Sequence, residues 1–208
     1  GENRKALDFY NQSLSLWRAA GARSEEAVTL NNIGLVYSSL GENQKALEFY
    51  NQALPLRRAV GDRGGEAATL NNIGFAYFSL GENQKALDFY TQALRLDRAV
   101  NNRLGEARTL NNIGAAYNSL GESQKALDFY NQALQIQRAV GDRGGEAVTL
   151  NNIGLAYSSL GEKQKGLDFY ARALQLHRAV GDRREEANTL SNIGLAYSSL
   201  GEWQKAID

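Results

Sequence analysis

Residues 30–54 read LNNIGLVYSSLGENQKALEFYNQAL, and this stretch decides the fold. Leu30, Ile33, Gly34, Tyr37 and Leu40, with Ala27 ahead of them, fall at spacings of three and four, which places them on one helix face. Gly41 follows the last apolar residue and predicts a left-handed helix end. A second helix then opens, with Ala46, Leu47, Phe49, Tyr50, Ala53 and Leu54 on a wide apolar arc that Leu56, Ala59 and Val60 extend. An arc that wide needs cover on two sides. The preceding helix supplies one side and the next copy of the unit the other.

The unit recurs without insertion or deletion. Gly1, Gly41, Gly81, Gly121, Gly161 and Gly201 open near-identical phrases, from GENRKALDFYNQ to GEWQKAID, so the period is forty residues. A period of this size marks a solenoid. The predicted class is all-α: one stack of about five helix pairs, near 24–60, 64–100, 104–140 and 144–180, with incomplete units at 1–20 and 184–208.

Local signals refine the unit. Ser24, Asp62, Asp142 and Asp182 are candidate N-caps for the first helix of each pair. Asn101 stands where other copies carry Gly21, Gly61, Gly141 and Gly181, and Asn tolerates the left-handed conformation next best. Gly34, Gly74, Gly114, Gly154 and Gly194 lie inside the first helix, each costing about 1 kcal/mol of helix propensity. Close approach of the paired helix, through its Ala46 and Ala53 ladders, is the expected reason. Pro55 occurs once, inside a second helix, and predicts a local kink.

Composition narrows the function. The chain carries 23 basic and 23 acidic residues, a balance that argues against nucleic-acid and anionic-membrane partners. There is no Cys, so thiolate metal sites and disulfides are excluded. No apolar run approaches a membrane span or signal peptide, and a cytoplasmic location is expected. His177 is the single histidine; its slot holds Trp17, Arg57, Asp97 and Gln137 in other copies, which predicts an exposed, inert residue. No catalytic set or metal cluster assembles around one histidine, so neither enzyme activity nor a cofactor is expected. Glu26, Glu66, Glu106, Glu146 and Glu186 recur beside Arg23, Arg63, Arg103, Arg143 and Arg183 and predict surface ion pairs across the repeat joint.

The pattern carried by Leu30, Gly34, Tyr37, Gly41, Ala46, Tyr50 and Ala53 resembles the tetratricopeptide repeat over the whole chain. The period of forty, rather than 34, and the missing helix-ending proline resemble the long-repeat branch that includes kinesin light chain. The phrase ALPLRRAVGDRGGEA is similar to bacterial, especially cyanobacterial, arrays beside signalling domains. The resemblance implies a right-handed superhelix whose first helices line a concave, peptide-binding face.

Helical geometry nominates the residues for that face. With Ala27, Leu30, Ile33, Gly34 and Tyr37 inward, Val28, Asn31, Asn32, Leu35, Ser38 and Ser39 point away. The copies then align Asn31, Asn71, Asn111, Asn151 and Ser191 in one ladder, and Asn32, Asn72, Asn112, Asn152 and Asn192 in a second. Leu35, Phe75, Ala115, Leu155 and Leu195 form a third. An amide both donates and accepts, so such ladders can hold an extended peptide backbone; bridging between adjacent helices is the competing explanation. By the resemblance, ligand contact falls first to Asn31, Asn71, Asn111 and Asn151. Phe75 and Phe78 suggest an apolar anchor pocket. Only Arg108 puts a cation among these ladders, which disfavours a carboxylate-gripping clamp.

The leading expectation is therefore an interaction module for a peptide or protein segment. The alternatives are a spacer, an engineered consensus-like scaffold, or the sensing arm of a larger bacterial signalling protein. Lack of Met and the similar phase of the two ends suggest a fragment or an engineered array. Leu190, Ile193 and Tyr197 are expected to lie open on the last first-type helix and to favour head-to-tail self-association.

Overall fold

The computed structural model describes residues 2–202. Its helices are α1 (Glu2–Ala20), α2 (Arg23–Ser39), α3 (Asn43–Ala59), α4 (Arg63–Ser79), α5 (Asn83–Ala99), α6 (Arg103–Ser119), α7 (Ser123–Val140), α8 (Arg143–Ser159), α9 (Lys163–Val180) and α10 (Arg183–Ser199). No strand occurs among the described residues. The partial helix expected at 203–208 lies outside them. The chain divides into a unit of Gly1–Gly105 and a unit of Glu106–Asp208.

Within each unit, helices adjacent in sequence pack together, and α2 also meets α4 as α8 meets α10. Connections this short fold neighbouring helices back antiparallel. Positive φ at Gly41 (78°), Gly61 (69°) and the exceptional Asn101 (55°) makes the turns. At Gly41, the Gly41 N–H donates to the Ser38 carbonyl at 3.0 Å and the Glu42 N–H to the Tyr37 carbonyl at 2.9 Å, closing the helix end. Asp62 and Asp142 accept from the N–H groups of Gly65 and Gly145 at 2.9 Å, and Asp182 from Glu185 at 3.1 Å. Ser24 does not cap: α2 begins at Arg23, so the cap position falls on Ala22, which has no side-chain oxygen to offer.

The first unit's core joins Leu47, Tyr50, Leu54, Leu70 and Ile73, and the second repeats it with Leu127, Tyr130, Leu134, Leu150 and Ile153. Each buried aliphatic contributes about 2 kcal/mol. Ala59 and Val60 are exposed, so the second-helix arc ends before them. The helix glycines do mark close approach, but to a ring rather than to the alanine ladders. A Cβ on Gly74 would lie 2.6 Å from the Tyr90 ring, and one on Gly114 2.5 Å from Tyr130. Tyr37, Tyr77, Tyr117 and Tyr157 stack on Phe49, Phe89, Phe129 and Phe169 at centroid distances of 5.3–5.4 Å. The α3 helix runs without interruption through Pro55, which is exposed.

Three further expectations change. His177 is buried, 1% exposed, and neither ring nitrogen has a hydrogen-bond partner. The slot it occupies passes beneath the turn that opens the next helix: a Cβ on Gly65 would lie 2.7 Å from the Arg57 guanidinium. Asp97 and Gln137 are buried there too. The glutamates pair across the joint with the end of the preceding helix. Arg18 meets Glu26 at 2.7 Å, Arg58 meets Glu66 at 2.6 Å and Arg138 meets Glu146 at 2.7 Å. Glu186 bonds both that arginine, Arg178, and its near neighbour Arg183. On α10, Leu190 is 44% exposed, whereas Ile193 and Tyr197 are half-buried against Leu167, Tyr170 and Ala196.

Candidate peptide interface

The free faces of α2 and α4 in the first unit, and of α6, α8 and α10 in the second, carry the nominated residues. Asn31, Asn32, Asn71 and Asn72 are half-buried, as are Asn111, Asn112, Asn151, Asn152 and Asn192. Leu35, Phe75, Leu155 and Leu195 are exposed; Phe75 is 46% and Leu195 70% accessible. Phe78 is half-buried, and Arg108 is exposed on the first turns of α6.

The two asparagine series are not independent. Asn72 Nδ2 donates to Asn31 Oδ1 at 3.0 Å, Asn152 Nδ2 to Asn111 Oδ1 at 3.1 Å, and Asn192 Nδ2 to Asn151 Oδ1 at 3.1 Å. A first-series amide on one helix thus accepts from a second-series amide on the next first-type helix. Thr149 Oγ1 adds a bond to Asn111 Oδ1 at 3.1 Å, and Thr69 a longer one to Asn31 Oδ1 at 3.4 Å. Each such bond contributes about 1 kcal/mol, and the half-buried setting makes losing one partner costlier than the bond itself. The ladder therefore stitches neighbouring helices. The stitching uses the side-chain oxygen of Asn31 and one of the two amide donors of Asn72.

Between these helices lies the hydroxyl of the paired helix's tyrosine. Burial pushes Tyr50 up to about 12, although a hydrogen bond with Ser38 pulls the other way. Burial also raises Tyr90, Tyr130 and Tyr170, with Ser158 opposing the rise at Tyr170. All four phenols are neutral donors at physiological pH.

One contributor was missed from sequence. In the second unit a cavity of about 200 Å³ opens between α8 and α10 above α9, and Lys163 lies in its wall. Lys163 is on a second-type helix, outside the ladders counted on first helices. Its signal was available: the same slot holds Asn43, Asn83 and Ser123 in other copies.

Stacked helix pairs with glycine–tyrosine contacts and asparagine stitching define a helical-repeat protein. The tetratricopeptide repeat model matches residues 1–59, 65–139 and 145–208, and the chain belongs to that family. No curated protein matches the sequence. BtubC (BKLC) from P. vanneervenii is similar in structure, with TM-score 0.81 and 19% identity over 99% of this chain and 87% of that one. A Rap protein complexed with Competence and Sporulation Factor gives TM-score 0.78 and 16% identity, over 97% of this chain and 61% of that one. NprR in complex with its cognate peptide NprX gives 0.72 and 20%, over 98% and 64%. At these identities the likeness shows the fold. No helix among the described residues is long and apolar enough to cross a membrane.

Proposed function

We propose that the chain is a non-enzymatic interaction module that binds a peptide or protein segment along the free faces of its first-type helices. The carrying observation is the row of exposed apolar side chains, Leu35 with Phe75 and Leu155 with Leu195, running beside amides that keep bonding capacity after stitching the helices. Two proteins of similar fold, Rap and NprR, were captured with a factor and a peptide, which supports the same use here. The asparagines are dual-purpose in this reading. Asn31, Asn111 and Asn151 hold the next helix, and their remaining amide hydrogens face a ligand backbone.

The dual role dictates the test. Truncating an asparagine weakens the fold and the interface together, so a loss of binding there is ambiguous. Phe75→Ser and Leu155→Ser remove exposed surface and break no internal bond. Each is expected to weaken binding of any peptide selected on the intact chain by about tenfold, with an unchanged urea midpoint. Retention of full affinity in the double variant would sink the proposal.

A second reading concerns association between copies. Leu190 is 44% exposed where Leu30, Leu70, Leu110 and Leu150 are buried, and Phe9 and Leu16 on α1 are each 71% exposed. Since α1 is itself a second-type helix, it has the chemistry that covers the Leu30-type position elsewhere. Sedimentation velocity is expected to show concentration-dependent growth that Leu190→Ser removes. A single monomeric boundary at every concentration would refute it.

A further inference from the structure

We propose that the α8–α9–α10 cavity is an acid-selecting subsite: Lys163 holds the carboxylate of an Asp or Glu side chain on a peptide lying along the second unit. The inference rests on the peptide-binding reading above and deepens it. The cavity is about 200 Å³ and is lined by Leu155, Ser158, Lys163, Tyr170, Asn192 and Leu195 among others. That is below the range of cofactor-sized pockets and suits a single side chain.

Two substitutions relative to the other copies, Lys163 and Gly166, act together here on Ser158. In the first copy Ser38 Oγ donates to Asn43 Oδ1 at 3.4 Å, and in the third Ser123 Oγ donates to Asn118 Oδ1 at 2.7 Å. The two slots satisfy each other. In the fourth copy Lys163 takes the second slot and offers Ser158 no acceptor. Ser158 turns instead to the Gly154 carbonyl at 3.0 Å, with the Tyr170 hydroxyl 3.5 Å away. That rotamer needs Gly166: a Cβ there would lie 2.6 Å from Ser158 Oγ, and the other copies carry Ala46, Ala86 and Ala126. Lys163 is thereby released from its own hairpin and reaches across to α10, where Nζ donates to the Ser199 carbonyl at 2.9 Å.

The ammonium is positioned without being neutralised. Lys45, Lys85, Lys125 and Lys165 each pair with the glutamate three residues earlier. Lys163 forms no ion pair among the described residues; its partner is a carbonyl. One of its three donors is used, and two are left for a ligand. The cavity's other polar groups include hydroxyls, from Ser158 and Tyr170, and the phenol stays protonated because burial raises it. A carboxylate gains a charge-assisted bond from Lys163, while Leu155 and Leu195 cover the methylenes that carry it.

The test is selection of a random 12-residue peptide library on the intact chain and on Lys163→Asn and Lys163→Glu variants. Asn is the residue of the first two copies, so the fold tolerates it. Peptides selected on the unaltered chain are expected to share an Asp or Glu at one position. Replacing that acid by its amide is expected to weaken binding about tenfold to the unaltered chain and less than twofold to Lys163→Asn. Selection on Lys163→Glu is expected to replace the acid with Lys or Arg. An acid-free consensus, or an equal loss in both proteins, overturns the subsite and leaves peptide binding standing. Failure to select any peptide overturns both.

Discussion

The groove between α2 and α4 in the first unit and the groove between α8 and α10 in the second are built on one plan and differ in chemistry. Both are stitched by one amide pair, Asn31 with Asn72 and Asn151 with Asn192. Both are floored by a neutral tyrosine, Tyr50 or Tyr170. The first places Asn43 and Ala46 where the second places Lys163 and Gly166, and Phe75 where the second places Leu195. The invariant residues are thus the ones the fold uses, and the variable ones set what each groove can bind. Constancy between copies is a poor guide to ligand contact here, since stitching alone accounts for a constant asparagine.

The sharpest way to break this comparison is to add one methyl to each of two facing glycines. A Cβ on Gly154 would lie 2.7 Å from the Tyr170 ring, which is buried and has nowhere to go. Gly154→Ala is expected to cost about 2 kcal/mol, because overpacking outweighs the gain in helix propensity. Gly74→Ala, facing Tyr90 at 2.6 Å, should cost about the same. Gly166→Ala meets the movable Ser158 hydroxyl at 2.6 Å and the Gly154 carbonyl at 2.9 Å, and restores the residue of the other copies. It should cost less than about 1 kcal/mol while narrowing the cavity, because the gain in helix propensity offsets part of the crowding. Urea denaturation with constant m checks all three. Equal costs at Gly154 and Gly166 would erase the distinction between a structural and a groove glycine.

Next in size are the stitches. Asn111→Ala removes the acceptor of both Asn152 and Thr149, whereas Asn31→Ala removes one good acceptor from Asn72 and a marginal one from Thr69. A loss of about 1–2 kcal/mol is expected at Asn111, and about 1 at Asn31. A stability unchanged by either substitution would return the ladder entirely to the ligand.

The fold was legible because period, glycine turns and apolar spacing all point to the same helices. The reason for Gly34 and its equivalents was only half legible: spacing shows a close approach but not that a tyrosine eight or more positions beyond the turn supplies it. The slot of Arg57, Asp97, Gln137 and His177 was misread outright. Polar residues that change from copy to copy look like a surface, yet this slot lies beneath a turn, with Arg57 half-buried and Asp97, Gln137 and His177 buried. Ion pairs across the repeat joint were legible, but for Glu26, Glu66 and Glu146 the partner is the arginine at the end of the preceding helix, brought close by the turn, rather than the neighbour in sequence. Lys163 was not legible as a site residue because it opens a second-type helix, outside the first-helix ladders.

Smaller again is the effect of those joint ion pairs. Glu146→Gln is expected to cost about 0.5 kcal/mol, since Arg138 is well exposed and the pair is screened. The same change at Glu66, which pairs with Arg58 in the first unit, should match it and shrink in high salt. A loss several times larger at one site alone would show that the joints are not equivalent.

The finest comparison uses the tyrosine hydroxyls. Ser38 opposes the rise of Tyr50, and Ser158 that of Tyr170, whereas Phe78 and Asn118 occupy the equivalent slots beside Tyr90 and Tyr130. Burial leads at all four, so each phenol keeps its proton in the fold after the unfolded chain has begun to lose it near 10. Above that pH the unfolded state binds fewer protons than the folded one, so stability must fall as pH rises. For Tyr50 the loss runs from pH 10 to about 12. Tyr50→Phe should flatten the stability profile in that window. Ser38→Ala should move ionisation of Tyr50, followed by ultraviolet difference absorbance, to higher pH, while Phe78→Ala leaves Tyr90 unmoved. If both substitutions shifted their tyrosine alike, the serine would be acting through packing rather than through its hydroxyl, and the first and fourth grooves would lose their shared polar floor.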